Sequence, residues 1–196
     1  FLFSGIIFGW APLNAILVDE GFYSTLCEAG ERHPCEAQAN ALNFAFTIAS
    51  TAVSIVAIPA GLLVDRLGPA VGTVVAGLLE VAGLVGIALS EDVYRRTQFD
   101  LFLYSVTIIA IGGSLTMFNA YALPFLFPRR STVVIELTSC LFDASCIMFT
   151  FFKIAYDAGA DFRMLWWVYT AVAAGLYVAL LLAWMSNAAA LRASRA

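Results

Sequence analysis

Glu80, Glu136 and Asp143 stand inside long apolar stretches. A carboxyl there needs a polar cavity, a partner or a proton. Glu136 and Asp143 are seven residues apart, two helical turns, so both look in nearly one direction. Thr132, Ser139 and Thr150 extend that face. From Arg130 to Asp143 is 13 residues, about 20 Å along a helix, which puts Asp143 near the middle of a bilayer. Asn43, Thr47, Ser50 and Ser54 also recur at helical spacing. At about 100° per residue they share a stripe of roughly 60°. Such groups line a polar path, or they hydrogen-bond neighbouring helices at about 0.6 kcal/mol each. Asp143 fits the first role better, and the stripe fits either. Glu80 stands alone among Gly and Val, while Lys153 can snorkel to the interface and pair with Asp157.

Catalytic chemistry finds no footing. The single histidine, His33, lies in a loop, and neither G-x-S-G nor Gly-x-Gly-Asp occurs. One His and scattered Cys make no metal constellation, so no metal, cofactor or enzymatic activity is expected. A channel would want a re-entrant filter or an Asn-Pro-Ala pair, and both are missing from the sequence. Nucleic acid is not an expected partner. Cys27 and Cys35 share the longest loop, Asp19 to Asn40, and can close a small disulfide ring on an oxidising face; two unpaired thiols are the alternative. Cys140 and Cys146 fall inside a span and read as small apolar residues.

The elements that carry these residues follow from composition. Of 196 residues, 62% are hydrophobic and 12% charged, with a mean hydropathy of +0.89. A soluble domain carries about 25% charged residues. Six apolar stretches recur, each near the roughly 20 residues that cross about 30 Å of hydrocarbon. The alternation of a transmembrane barrel is missing. The reading is all-α: a multi-pass integral membrane protein with spans at Phe1–Val18, Ala41–Val64, Ala70–Ser90, Leu101–Phe127, Ser131–Tyr156 and Met164–Ser186. The first span begins without methionine or a basic leader, so a fragment of a longer protein is expected, not a cleaved signal peptide. Loops on the expected outer side carry Arg32, Arg95, Arg96 and Arg163, and those on the inner side Arg66, Arg129, Arg130, Arg192 and Arg195, a small bias. Gly5 and Gly9 in the first span, and Gly72, Gly77, Gly83 and Gly86 in the third, let helices approach closely. Pro12, Pro59 and Pro124 bend helices or mark their ends.

The most specific motif is Gly61-Leu62-Leu63-Val64-Asp65-Arg66-Leu67-Gly68-Pro69, at the short turn between the second and third spans. It fits G-x-x-x-D-R-x-G and resembles the signature loop of the major facilitator superfamily. The resemblance implies that Gly61 contacts a helix of the opposite half and that Asp65 latches the cytoplasmic side shut. Arg66 is then its basic neighbour, Gly68 permits the turn, and Arg129 or Arg130 is a partner for Asp65. It also implies a six-helix bundle over 1–186, one half of a twelve-helix fold, with a cytoplasmic connector starting over 187–196. In that fold the substrate sits near the midplane between the halves.

Phe3-Ser4-Gly5 with Phe8-Gly9-Trp10, the two-cysteine loop, Arg130-Ser131-Thr132, Phe142-Asp143-Ala144-Ser145, Lys153 and Tyr156-Asp157-Ala158-Gly159 narrow this further. They resemble the solute-carrier-43 family of system-L-type neutral amino-acid transporters. The resemblance implies facilitated diffusion of large neutral amino acids, without sodium or proton coupling, by alternating access. The fourth span has no arginine, so the basic motif of proton-driven antiporters is missing there. The implied partners are a small-molecule substrate, the lipid bilayer and a C-terminal six-helix half. The implied location is the plasma membrane, with an internal membrane as the alternative. Transport of another solute, such as a carboxylate or a sugar, and a non-transporting scaffold or receptor of the same fold are the competing readings.

Overall fold

Gly68 and Pro69 set the sharpest helix-to-helix turn of the chain. Gly68 adopts φ +86°, a left-handed value that a side chain would oppose, and Pro69 opens the next helix where a missing N–H costs nothing. α2 (Glu36–Leu67) and α3 (Pro69–Thr97) are thus joined through one residue. The computed structural model describes residues 3–28 and 34–187. Arg32, His33, Arg192, Arg195 and the expected connector beyond Asn187 lie outside the described residues. Among the described residues there is no strand, and the other helices are α1 (Trp10–Asp19), α4 (Leu101–Ala120), α5 (Ser131–Ser145), α6 (Met148–Asp157) and α7 (Phe162–Ser186).

Among the described residues, five segments are long and apolar enough to cross a bilayer: Glu36–Leu67, Pro69–Thr97, Leu101–Leu126, Pro128–Asp157 and Phe162–Ser186. The first expected span differs. It starts as turns and a 3-10 segment, Ile6–Gly9, before α1 begins. Ile6–Asp19 reaches only about 21 Å, short of the hydrocarbon thickness. The fifth expected span differs too. Instead of one helix over Ser131–Tyr156 there are two, α5 and α6, parted at Cys146 and Ile147. There the bonding switches to the tighter three-residue pattern, Cys146 N–H to Asp143 O and Ile147 N–H to Ala144 O, each 3.2 Å.

The core forms where α3 meets α4 and α7, and where α2 crosses α4. Small residues make those crossings possible. Gly83 and Gly86 of α3 lie against Ser105 and Ile109 of α4, while Gly77 takes the ring of Tyr177 from α7. Aromatic side chains fill the remaining space, with Trp166 fully buried between Phe149, Phe152 and Phe162.

One end of the bundle is tied by polar contacts. Arg163 reaches Asp92 at 2.6 Å and Glu91 at 3.5 Å, linking α7 to α3. Lys153 pairs with Asp157 and lies 3.8 Å from Asp19, and Tyr156 donates to Glu20 at 2.7 Å. Asp100 caps α4 through the Leu103 N–H and accepts from Tyr23 at 2.7 Å. Burial, with the Asp100 carboxylate beside it, pushes the Tyr23 phenol well above its ordinary range. At this same end Cys27 and Cys35 are joined by a disulfide, with Cα atoms 5.8 Å apart, and Cys35 precedes the first turn of α2. A membrane-impermeant maleimide should therefore label these cysteines in intact cells only after reduction. Labelling without reductant would contradict the bridge, and labelling only after permeabilisation would invert the orientation.

Candidate functional site

Four parts of the chain converge on a polar knot inside the bundle. α3 supplies Thr73 and Glu80, α4 supplies Gly112, Thr116 and Asn119, α7 supplies Tyr177, and the turn before α1 supplies Phe3 and Ser4. Asn119 donates to Thr73 Oγ1 at 2.6 Å, and its carbonyl oxygen takes the space a Cβ on Gly72 would need. Thr116 and Tyr177 share a hydroxyl hydrogen bond of 2.7 Å. Gly112 makes room for Glu80: a Cβ there would lie 3.0 Å from Glu80 Cγ. Gly113 does the same for the backbone of Phe3 and Ser4.

Beside this knot lies a cavity of about 380 Å³, lined by Phe3, Thr116, Asn119, Tyr177, Leu180 and Trp184 among others. It opens toward the end that carries Asp65, because Asn119 and Trp184 stand near the last turns of α4 and α7. Its walls are aromatic faces and aliphatic chains with a few oriented polar groups, the composition of a small-molecule site. The Trp184 indole N–H is buried and has no partner among the described residues. A second cavity of about 470 Å³ sits at the disulfide end, lined by Tyr23, Glu91, Tyr94, Asp100 and Phe102 among others.

The sequence-predicted residues fall elsewhere. Asn43, Thr47 and Ser54 are exposed and Ser50 is half-buried, all on α2 away from both cavities. Thr47 donates to Asn43 O at 2.8 Å and Ser50 to Thr47 O at 3.1 Å, so these hydroxyls turn back onto their own helix. Glu136 and Asp143 are exposed along α5, which buries only Thr138 and Ser145. Gly61 is half-exposed and has nothing within 4 Å of a would-be Cβ. Asp65, Arg66, Arg129 and Arg130 are exposed, and Gly68 is half-exposed. The expected pairing of Asp65 with Arg129 or Arg130 is not formed: no ion pair among the described residues involves any of these four charges. The pairing of Lys153 with Asp157 is present.

Sequence reasoning missed Thr116, Asn119 and Tyr177. One signal was available: Asn119 is the sole amide in the fourth span, whose other polar side chains are hydroxyls. Tyr177 carried none, since a tyrosine in a hydrophobic helix shows its partner only when α4 is packed against it.

No family model matches the chain, and no solved structure matches it. It is 36% identical over 160 residues to Protein FMP42 of Saccharomyces cerevisiae, covering 80% of this chain and 31% of that protein. It is 30% identical over 194 residues to the human Large neutral amino acids transporter small subunit 3, covering 93% of this chain and 34% of that one. To the Equilibrative nucleobase transporter 1 of Bos taurus it is 25% identical over 169 residues, covering 82% and 34%. The chain spans about a third of the length of the curated relatives it matches. Five long apolar helical segments among the described residues and a likeness to proteins named as transporters make this chain a multi-pass integral membrane protein related to transporters.

Proposed function

We propose that the chain is the N-terminal half of a major-facilitator-type transporter that moves large neutral amino acids by facilitated diffusion and alternating access. The observation that carries this reading is the uneven distribution of charge contacts. All five ion pairs of the described residues gather at the disulfide end. At the other end Asp65, Arg66, Arg129 and Arg130 stand exposed, and none of them is ion-paired among the described residues. A half-transporter whose inner latch closes against a second half has this distribution, because its outer end is held within the half while its inner charges await the other. The burial pattern fits as well. Only 17% of the most apolar window is buried in α2, and the same share in Pro128–Asp157, against 50% in α3. The uncovered helices carry the polar stripe, Glu136 and Asp143, and the second six-helix half is their proposed cover. The bilayer covers the remaining apolar surface.

The cavity beside Tyr177 supports the substrate class. Aromatic and aliphatic walls suit the side chain of a large neutral amino acid, and the human relative is named for such substrates. A nucleobase is the second reading: flat rings stack on Phe3, Tyr177 and Trp184, and the bovine relative is named for it. Cells expressing the full-length protein should take up labelled leucine well above vector controls, with unlabelled phenylalanine competing and adenine not. Uptake of adenine alone would move the assignment to the second reading. Uptake of neither, with protein present at the surface, would favour a scaffold or receptor.

A further inference from the structure

Glu80 is the most enclosed charged side chain among the described residues. It is 0% exposed, and neither carboxyl oxygen has a hydrogen-bond partner among them. It belongs to none of the five ion pairs. Among the described residues, the elements packed around it bring no cation. α4 presents Gly112, with Thr116 one turn on, and α7 presents Tyr177, which packs on Gly77 one turn from Glu80. The turn before α1 brings Phe3, with its ring 4.7 Å from Tyr169 and 6.0 Å from Tyr177. The described basic side chains nearest to the bundle interior, Lys153 and Arg163, are occupied at the disulfide end.

An ionised carboxylate in such a place loses its hydration and gains nothing in return, a cost of several kcal/mol. A neutral carboxylic acid loses far less. We propose that Glu80 is a proton-binding site. In the arrangement seen here the carboxyl carries a proton, acquired from water by the carboxylate. An approach for water lies close by. Tyr177 and Thr116 line the 380 Å³ cavity and share a hydroxyl hydrogen bond of 2.7 Å, and Tyr177 packs on Gly77, one turn from Glu80. The cavity and its hydroxyl pair thus come within one helical turn of Glu80 without hydrogen-bonding to it, and water must bridge the remaining gap. Transport by the complete protein then responds to pH through Glu80, a property separate from which solute is carried.

Infrared spectroscopy of the full-length protein in phosphatidylcholine vesicles tests this without any substrate. The wild type should show the carbonyl band of a protonated carboxyl at neutral pH. Glu80→Gln should lose that band, and Asp143→Asn should keep it. A wild type with no such band overturns the proposal, as does a Glu80→Gln protein that retains it. If the Gln variant does not fold, Glu80→Asp keeps a carboxyl one methylene shorter and should shift the band; an unshifted band overturns the assignment. In vesicle uptake of labelled leucine, the wild-type rate should fall roughly tenfold for each pH unit above the titration midpoint, and the Gln variant should be flat. Equal profiles in the two proteins count against the proposal. Because the band does not depend on leucine being a substrate, failure of the transport reading leaves the proton assignment separately decided.

Discussion

Gly9→Leu should remove nearly all of the protein from the cell surface. A Cβ at Gly9 would run into the carbonyl oxygen of Cys146, with the Cys146 carbonyl carbon 3.0 Å and its Cα 3.4 Å away. All three are backbone atoms at the junction of α5 and α6, so no side-chain rotation relieves the clash. Gly5 approaches the same junction, with its N–H donating to Ser145 Oγ at 2.8 Å and its carbonyl accepting from the Cys146 thiol at 3.2 Å. Overpacking a close contact costs about 1–3 kcal/mol where neighbours can adjust, and more where backbone must move. Against a total stability of about 5–15 kcal/mol, a leucine here consumes much of the margin. Gly175→Leu in α7 is the control, because nothing lies within 4 Å of its Cβ position. Surface biotinylation of the full-length variants should show loss for Gly9→Leu and a normal level for Gly175→Leu. Equal levels would mean that the first segment and the fifth helix do not meet as closely as described.

Asp65→Asn should lower uptake by roughly tenfold, about 1.4 kcal/mol of latch free energy, at an unchanged surface level. Folding should be indifferent to the change, since Asp65 is exposed and forms no ion pair among the described residues. The substitution keeps shape and removes only charge, so a deficit in transport isolates the proposed contact with the second half. Wild-type uptake kinetics in this variant would remove Asp65 from the latch. A loss of surface protein would instead point to a structural role within this half.

Much of the scaffold was legible along the chain. Gly68-Pro69 marked the α2–α3 turn because both residues restrict the backbone locally, and the glycines of α3 marked its crossings because only small residues admit a neighbouring helix. The break in the fifth span was not legible. Ser145-Cys146-Ile147-Met148 contains neither Gly nor Pro, and the interruption lies where Gly5 and Gly9, some 140 positions earlier, bring their backbone against it. Periodicity also identifies which residues share a face without saying what that face meets. It grouped Asn43, Thr47, Ser50 and Ser54 correctly as neighbours, yet Thr47 and Ser50 spend their hydrogen bonds on their own helix. It ranked Asp143 above Glu80 because Asp143 has polar company in sequence. In the fold Asp143 is exposed and Glu80 is enclosed, a difference set by α4 and α7, which lie far from Glu80 in sequence.

The split fifth helix also has a mechanical side. α6 is seated on α1, with Phe149 and Phe152 reaching Trp166 of α7, while α5 buries only Thr138 and Ser145. A rod seated at one end and jointed at Cys146–Ile147 is a lever with its fulcrum inside the membrane. α5 is 15 residues long, so its arm measures about 22 Å, and a swing of about 10° at the joint displaces the tip by about 4 Å. That tip carries Arg129 and Arg130. A displacement of this size is the difference between an ion pair in contact and one severed, which gives a small rearrangement at Gly5 and Gly9 a long reach.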